Sequence, residues 1–230
     1  MFLYHQDFIL KMKRWVLLLL LIFLFFSGCK EKAVPEKIKE LEAIPEKNEI
    51  AIESEKVLLI VAQKDFQPIE YSEVRDAIEA RGIAVDVASP NGGTATATSG
   101  FTVETIPIAD VNVDDYIAVV IIGGPGTRSN LAGAKGLNEL IISAAEKGKI
   151  IAAICLAPTI LAEAGILDGV KATVWPEEKY INLLSNYGAI YVNKHVVIDG
   201  KIITGQGPTA AEEFATAVSE AIKAELESQV

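Results

Sequence analysis

Residues 149–161 read Lys-Ile-Ile-Ala-Ala-Ile-Cys-Leu-Ala-Pro-Thr-Ile-Leu, and they constrain the fold more than any other stretch. Residues 150–154 are apolar without alternation, the pattern of a strand covered on both faces. The apolar spacing then changes to that of a helix over 156–165, with Pro158 suited to a helical first turn. A strand that needs two covers and passes at once into a helix points to a parallel sheet flanked by helices. Cys155 falls at the junction, with Ala153 and Ala157 two residues away on each side. A sharp turn that exposes a nucleophile requires small residues at those places. A helix N-terminus also favours an anion, so the thiol is expected to ionise below its free value of about 8.5. The same placement suits a buried structural cysteine, because free cysteine is among the most buried residue types.

The other segments alternate in the same way. Residues 57–62 form an apolar strand, and 69–81 a helix with Tyr71, Val74 and Ile78 on one face and Gly82 after its end. A strand follows over 83–89, and the Thr/Ala alternation up to Thr98 predicts a short edge hairpin. Residues 116–122 are a buried strand ending in Gly123-Gly124-Pro125-Gly126, and 134–147 a helix leading to the cysteine strand. Beyond it come an extended segment at 170–175, a helix over 177–185, two strands about the turn Asp199-Gly200, and a closing helix from Pro208. Phe214, Val218 and Ile222 form the core face of that last helix. In a parallel sheet, ligands bind at the carboxyl ends of the strands. Cys155, the Gly-Gly-Pro-Gly loop and the residues after the first strand share that edge.

A length of 230 residues and 50% hydrophobic content suit one domain with an appendage. The net charge of −10 speaks against a nucleic-acid face and against electrostatic attraction to anionic lipid. Any membrane contact must then be hydrophobic or covalent. Lys11, Lys13 and Arg14 precede an apolar run over 15–26, closed by Ser27-Gly28-Cys29. As a helix that run covers about 18 Å, short of a hydrocarbon core of about 30 Å. It resembles a signal peptide with a lipoprotein-type box, in which Cys29 is the lipidated first residue of the mature chain; an uncleaved anchor is the alternative. The expected organisation is a leader over 1–29, a charged linker over 30–55 and an α/β domain over 56–228. The two cysteines, Cys29 and Cys155, have neither disulfide-framework nor metal-site spacing, and no cofactor or metal is expected.

Nucleophilic cysteine chemistry normally borrows a base. In the mature chain the only histidine is His195, in a surface strand. Asp65 and Glu70, just after the first strand, are both carboxylate candidates. Gly123 and Gly124 can bring a backbone N–H close to Cys155 as an oxyanion donor.

Ala152-Ala-Ile-Cys155-Leu-Ala-Pro158, Ile122-Gly-Gly-Pro-Gly126, Phe66-Gln-Pro-Ile-Glu70 and Thr204-Gly-Gln-Gly-Pro208 together resemble the PfpI family, of intracellular-peptidase and parkinsonism-associated DJ-type proteins. The resemblance implies a flavodoxin-like three-layer sandwich around a mostly parallel sheet, usually dimeric, with Cys155 as the nucleophile-elbow cysteine. It implies that Glu70 is the acidic partner of Cys155, and that Gly124, with Leu156 after the cysteine, supplies backbone N–H groups. Two departures stand out. Peptidase-like members carry His after the cysteine, where this chain has Leu156, and DJ-type members carry His before a proline, where it has Trp175.

The expected function is that of a membrane-tethered protein whose Cys155–Glu70 pair meets oxidants or small electrophiles in redox or carbonyl stress, without peptidase activity. A glyoxalase-, deglycase- or amidase-type hydrolase acting on a small aldehyde or amide is the alternative. The chain recovered from membranes is expected to begin at an acylated Cys29; intact-mass measurement finding Met1 or Met12 at its N-terminus overturns this.

Overall fold

An apolar run with no polar face must be covered from both sides, and the strands Tyr116–Ile121 (β6) and Ile150–Ile154 (β7) are buried at every residue. In the computed structural model, which describes residues 56–229, they lie at the centre of the sheet. The expected leader, Cys29 and the linker fall outside the described residues.

The remaining strands are β1 (Lys56–Ile60), β2 (Lys64–Phe66), β3 (Ala84–Ser89), β4 (Gly93–Ala97), β5 (Thr102–Pro107), β8 (Lys171–Ala172), β9 (Ile190–Tyr191), β10 (Val196–Asp199) and β11 (Ile202–Gly205). Among the described residues, nine of the strands form one sheet in the order β10-β11-β7-β6-β1-β3-β5-β4-β2. Pairing is parallel from β11 to β5, and β10 and β4 join it antiparallel. The helices are α1 (Pro68–Glu79), α2 (Leu137–Glu146), α3 (Pro158–Glu163), α4 (Glu178–Asn186) and α5 (Ala211–Ser228). Helix α1 packs on α5, while α2 packs on α3, and these two groups cover the sheet as separate layers. Tyr71, Val74 and Ile78 of α1 and Phe214, Val218 and Ile222 of α5 are the buried residues that close one layer.

Several local expectations are corrected. Segment 102–107 pairs with β4 as the second arm of the hairpin, and β2, docked on β4, is the sheet edge. Its weak alternation of polar and apolar residues, set by a half-buried position, hid β5. Residues 127–131 form a π-helix, so α2 starts only at Leu137. The segment at 170–175 shortens to β8, which pairs with β9 in a separate two-stranded sheet. The helix after Cys155 starts at Pro158, leaving Leu156 and Ala157 in the turn, because a proline with no N–H takes the first helical position.

Chain order reverses between β1 and β6: the chain runs outward to β3 on one side and through β7 to β11 on the other. The crevice at such a reversal is where doubly wound sheets bind ligands. Ile122-Gly123-Gly124 follows β6 there and Cys155 follows β7.

Candidate active site

Leaving β7, the backbone must turn within one residue, and Cys155 does so at φ 64°. For a residue with a Cβ this left-handed conformation costs roughly 1–2 kcal/mol. The position is held from both sides. Its N–H donates to the Gly205 carbonyl (2.9 Å) and its carbonyl accepts from the Trp175 N–H (2.8 Å). The side chain is 7% exposed, at the base of the crevice.

Glu70 arrives from α1. Gln67 caps that helix, its Oε1 accepting from the Ile69 N–H (3.0 Å), and Pro68 opens the first turn. Glu70 is thereby placed in the first turn facing inward, fully buried. Its Oε2 accepts from the Gly123 N–H (3.0 Å), and the carboxyl lies beside the Cys155 thiol. Oε1 is buried with no nitrogen or oxygen partner. Only glycine fits at 123, since an added Cβ would stand 2.5 Å from Cys155 Cβ and 2.8 Å from Glu70 Oε2. Gly124, at φ 116°, and Leu156 each direct a backbone N–H to the sulfur.

Burial pushes the Glu70 carboxyl up to about 8, against the opposing pull of the Gly123 N–H and the Cys155 contact. Burial also pushes the Cys155 thiol up, to about 12, and the charge of an ionised Glu70 adds to this; the N–H groups of Gly124 and Leu156 oppose it. The expectation of a lowered thiol is therefore corrected, because desolvation outweighs the partial charge of a short helix that begins three residues on. Between the two ionisations the pair carries one proton and one negative charge. With the proton on Glu70, the charge rests on a sulfur that faces two backbone N–H groups.

A pocket of about 430 Å³ opens above the sulfur, walled by Leu156, Trp175, Tyr180, Pro125 and Pro208, with Gln67, Arg128 and Glu177 as its polar members. The Trp175 indole N–H donates to Glu177 Oε1 (2.9 Å) and so is committed. The structure thus brings Cys155, Glu70, Gly124 and Leu156 together. Asp65 is exposed, and His195, also exposed, lies 3.6 Å from Glu213 outside the pocket. Tyr180 and Arg128 were not singled out from sequence: Arg128 stands two residues past the Gly-Gly-Pro-Gly loop, and Tyr180 carries no local signal. The described residues contain no cluster suited to a metal ion and no helix long and apolar enough to cross a membrane.

The sequence model of the DJ-1/PfpI family matches residues 55–221. An uncharacterized protein from Methanocaldococcus jannaschii is 44% identical over 170 residues, 73% of this chain and 82% of its own. A protein named deglycase from Pyrococcus horikoshii is 32% identical over 158 residues, 66% of this chain and 90% of its own. The crystal structure of Drosophila melanogaster DJ-1beta superposes with a TM-score of 0.66 at 32% identity, covering 73% of this chain and 90% of that one. The α/β fold with its mostly parallel sheet is that of these flavodoxin-like neighbours.

Because the Glu70 value of about 8 lies above its ordinary 4.5, the folded chain holds a proton there that the unfolded chain loses across that interval. Stability must fall as pH rises through the window. Denaturation midpoints between pH 4.5 and 8 are expected to drop less steeply in Glu70→Gln than in the wild type; equal slopes would show that Glu70 carries no buried proton.

Proposed function

The chain belongs to the DJ-1/PfpI family, and on that premise we propose that it acts on small reactive carbonyl compounds through a covalent adduct of Cys155, with Glu70 as the proton carrier. The observation that carries the reading is the buried carboxyl of Glu70, with an oxygen left unpartnered beside the thiol. The similarity to a protein named deglycase supports the same general kind of chemistry.

In the first step the sulfur bonds to the carbonyl carbon, the carbonyl oxygen takes the Glu70 proton, and the thiol proton replaces it on the carboxyl. The product is a neutral hemithioacetal. The developing oxyanion sits near the N–H groups of Gly124 and Leu156, the kind of fixed donor that contributes about 10²–10³-fold when present. With a 2-oxoaldehyde, Glu70 then takes the proton on the sulfur-bearing carbon while giving its own to the neighbouring ketone oxygen, which makes an enediol. A second exchange takes the hydroxyl proton beside the sulfur and delivers one to the neighbouring carbon, leaving a 2-hydroxy thioester and a protonated Glu70. Water cleaves that thioester and restores the thiol.

Peptide hydrolysis is not part of the reading. It needs a proton delivered to a leaving amine, a task worth about 10²–10⁴-fold and usually given to His. Leu156 and Trp175 occupy the two places where family members carry one, and the indole N–H is spent on Glu177.

The resemblance of residues 1–29 to a lipoprotein-type signal, with Cys29 as its expected lipidated residue, supports placing this reaction at an extracytoplasmic membrane surface, and the family resemblance supports a homodimer. A second reading, scavenging of oxidants in stress, is favoured by the same two N–H groups. They converge on the sulfur itself and would hold the oxygen of a sulfenic acid.

Consumption of methylglyoxal by the full chain is expected to vanish in Cys155→Ala and to fall at least about 10²-fold in Glu70→Gln, the low end of general acid–base effects. Undiminished consumption by Cys155→Ala would end the carbonyl reading. If carbonyl is untouched while mild peroxide adds one oxygen mass at Cys155, the oxidant reading replaces it.

A further inference from the structure

The two backbone N–H groups that face the Cys155 sulfur belong to different parts of the chain. Gly124 is in the loop after β6, and Leu156 is in the turn after β7. Nothing in the local sequence of either holds one against the other, yet both must stay aimed at one atom.

Each donor residue has its own carbonyl tied down. The Gly124 carbonyl accepts from the Thr127 N–H (3.0 Å), the first residue of the π-helix 127–131. The Leu156 carbonyl accepts from the Thr159 hydroxyl (2.6 Å) and from the Thr159 N–H (3.1 Å). Arg128, next to Thr127, spans the gap. Its Nη1 donates to Thr159 Oγ1 (3.1 Å) and to Glu163 Oε2 (2.9 Å), and its Nη2 to Glu163 Oε1 (2.7 Å). A bidentate fork of this kind fixes orientation as well as distance. The wide turn of the π-helix, closed by the Ala132 N–H on the Thr127 carbonyl (2.8 Å), presents Arg128 toward α3, and such turns gather at functional sites.

We propose that the Arg128–Glu163 pair is a latch that keeps the Gly124 and Leu156 N–H groups converged on the Cys155 sulfur, making Arg128 a positioning residue for the thiolate. Arg128 also lines the pocket, but both Nη atoms are turned to Glu163 and Thr159, so its charge is met within the latch. The other titratable groups around the sulfur are Glu70 below it and Glu177 and Tyr180 across the pocket. None of them touches the latch through a hydrogen bond among those of the described residues.

The inference rests on the reading that Cys155 reacts as a thiolate, and the test separates the two. The rate of iodoacetamide labelling at Cys155 is followed against pH by peptide mass in the full-length wild type, Arg128→Gln and Glu163→Gln, with a thermal midpoint for each. In both variants the inflection of the rate profile is expected to rise by about one pH unit, about tenfold less thiolate at neutral pH. A pair that served stability alone would lower the thermal midpoint and leave the inflection in place, and that result overturns the latch. Should Arg128→Gln not fold, Glu163→Gln, which keeps the side-chain shape, decides alone. A wild type that resists labelling at every pH sinks the functional reading and the latch with it, whereas normal wild-type labelling with unmoved variants sinks the latch only.

Discussion

A carboxyl group with no exposed surface persists only where it keeps its proton or its charge is met, and Glu70 is such a group. One of its oxygens takes the Gly123 N–H, and the other is left without a nitrogen or oxygen partner next to a thiol. Much of the surrounding architecture follows from keeping it there. Helix α1 must begin at Pro68, capped by Gln67, for residue 70 to face inward. Position 123 must lack a Cβ, because both the carboxyl and the cysteine occupy the space one would need. Residue 155 must accept a left-handed backbone to bring its sulfur back over the carboxyl. A buried acid that holds its proton near neutrality can donate, which an exposed carboxylate at that pH cannot.

That arrangement limits the chemistry as much as it permits it. A thiol pushed up by burial is a weak nucleophile until its proton moves, and the group best placed to receive that proton is Glu70. One carrier suffices when the proton taken from sulfur and the proton given to oxygen move within the same small adduct. It does not suffice when a proton must also reach a leaving amine some distance away. The apolar walls formed by Leu156 and Trp175 act in the same direction, since they exclude water and add no second titratable group beside the sulfur. On the proposed reading, substrate scope is set by how far one carboxyl can reach.

How much of this was legible in the sequence depends on whether the signal was local. The two central strands announced themselves as unbroken apolar runs, and the buried faces of α1 and α5 as residues three to four apart. Strand β5 did not, because half-burial gives it a polar–apolar mixture. The choice between Asp65 and Glu70 was also closed to inspection of the residues alone, since it turns on where the cap of α1 falls; the family resemblance named Glu70. The direction in which the Cys155 thiol shifts was misjudged for a related reason. A helix N-terminus can be read from a proline, but desolvation depends on what the rest of the chain stacks above the site. Arg128 and Glu163 lie 35 residues apart on different elements, and no spacing rule links them.

The strained and buried groups sit where the fold can best carry them. A non-glycine residue in the left-handed region costs of order 1–3 kcal/mol and survives only where its surroundings over-determine it. Cys155 is joined directly to a strand buried at every residue, its amide and carbonyl are pinned by β11 and by the Trp175 segment, and its neighbours Ala153 and Ala157 are fully buried. Asp65, at φ 61°, is the other described non-glycine residue with positive φ, and it flanks the same site: its carbonyl would meet any Cβ placed on Gly124 at 2.6 Å. Both departures from easy backbone geometry therefore border the Gly123–Gly124 loop, one on each side. The same buried surroundings that hold Cys155 in this geometry supply the desolvation that keeps the proton on Glu70. The backbone strain and the raised carboxyl are in this sense one feature, and the apolar centre of the sheet is what holds it in place.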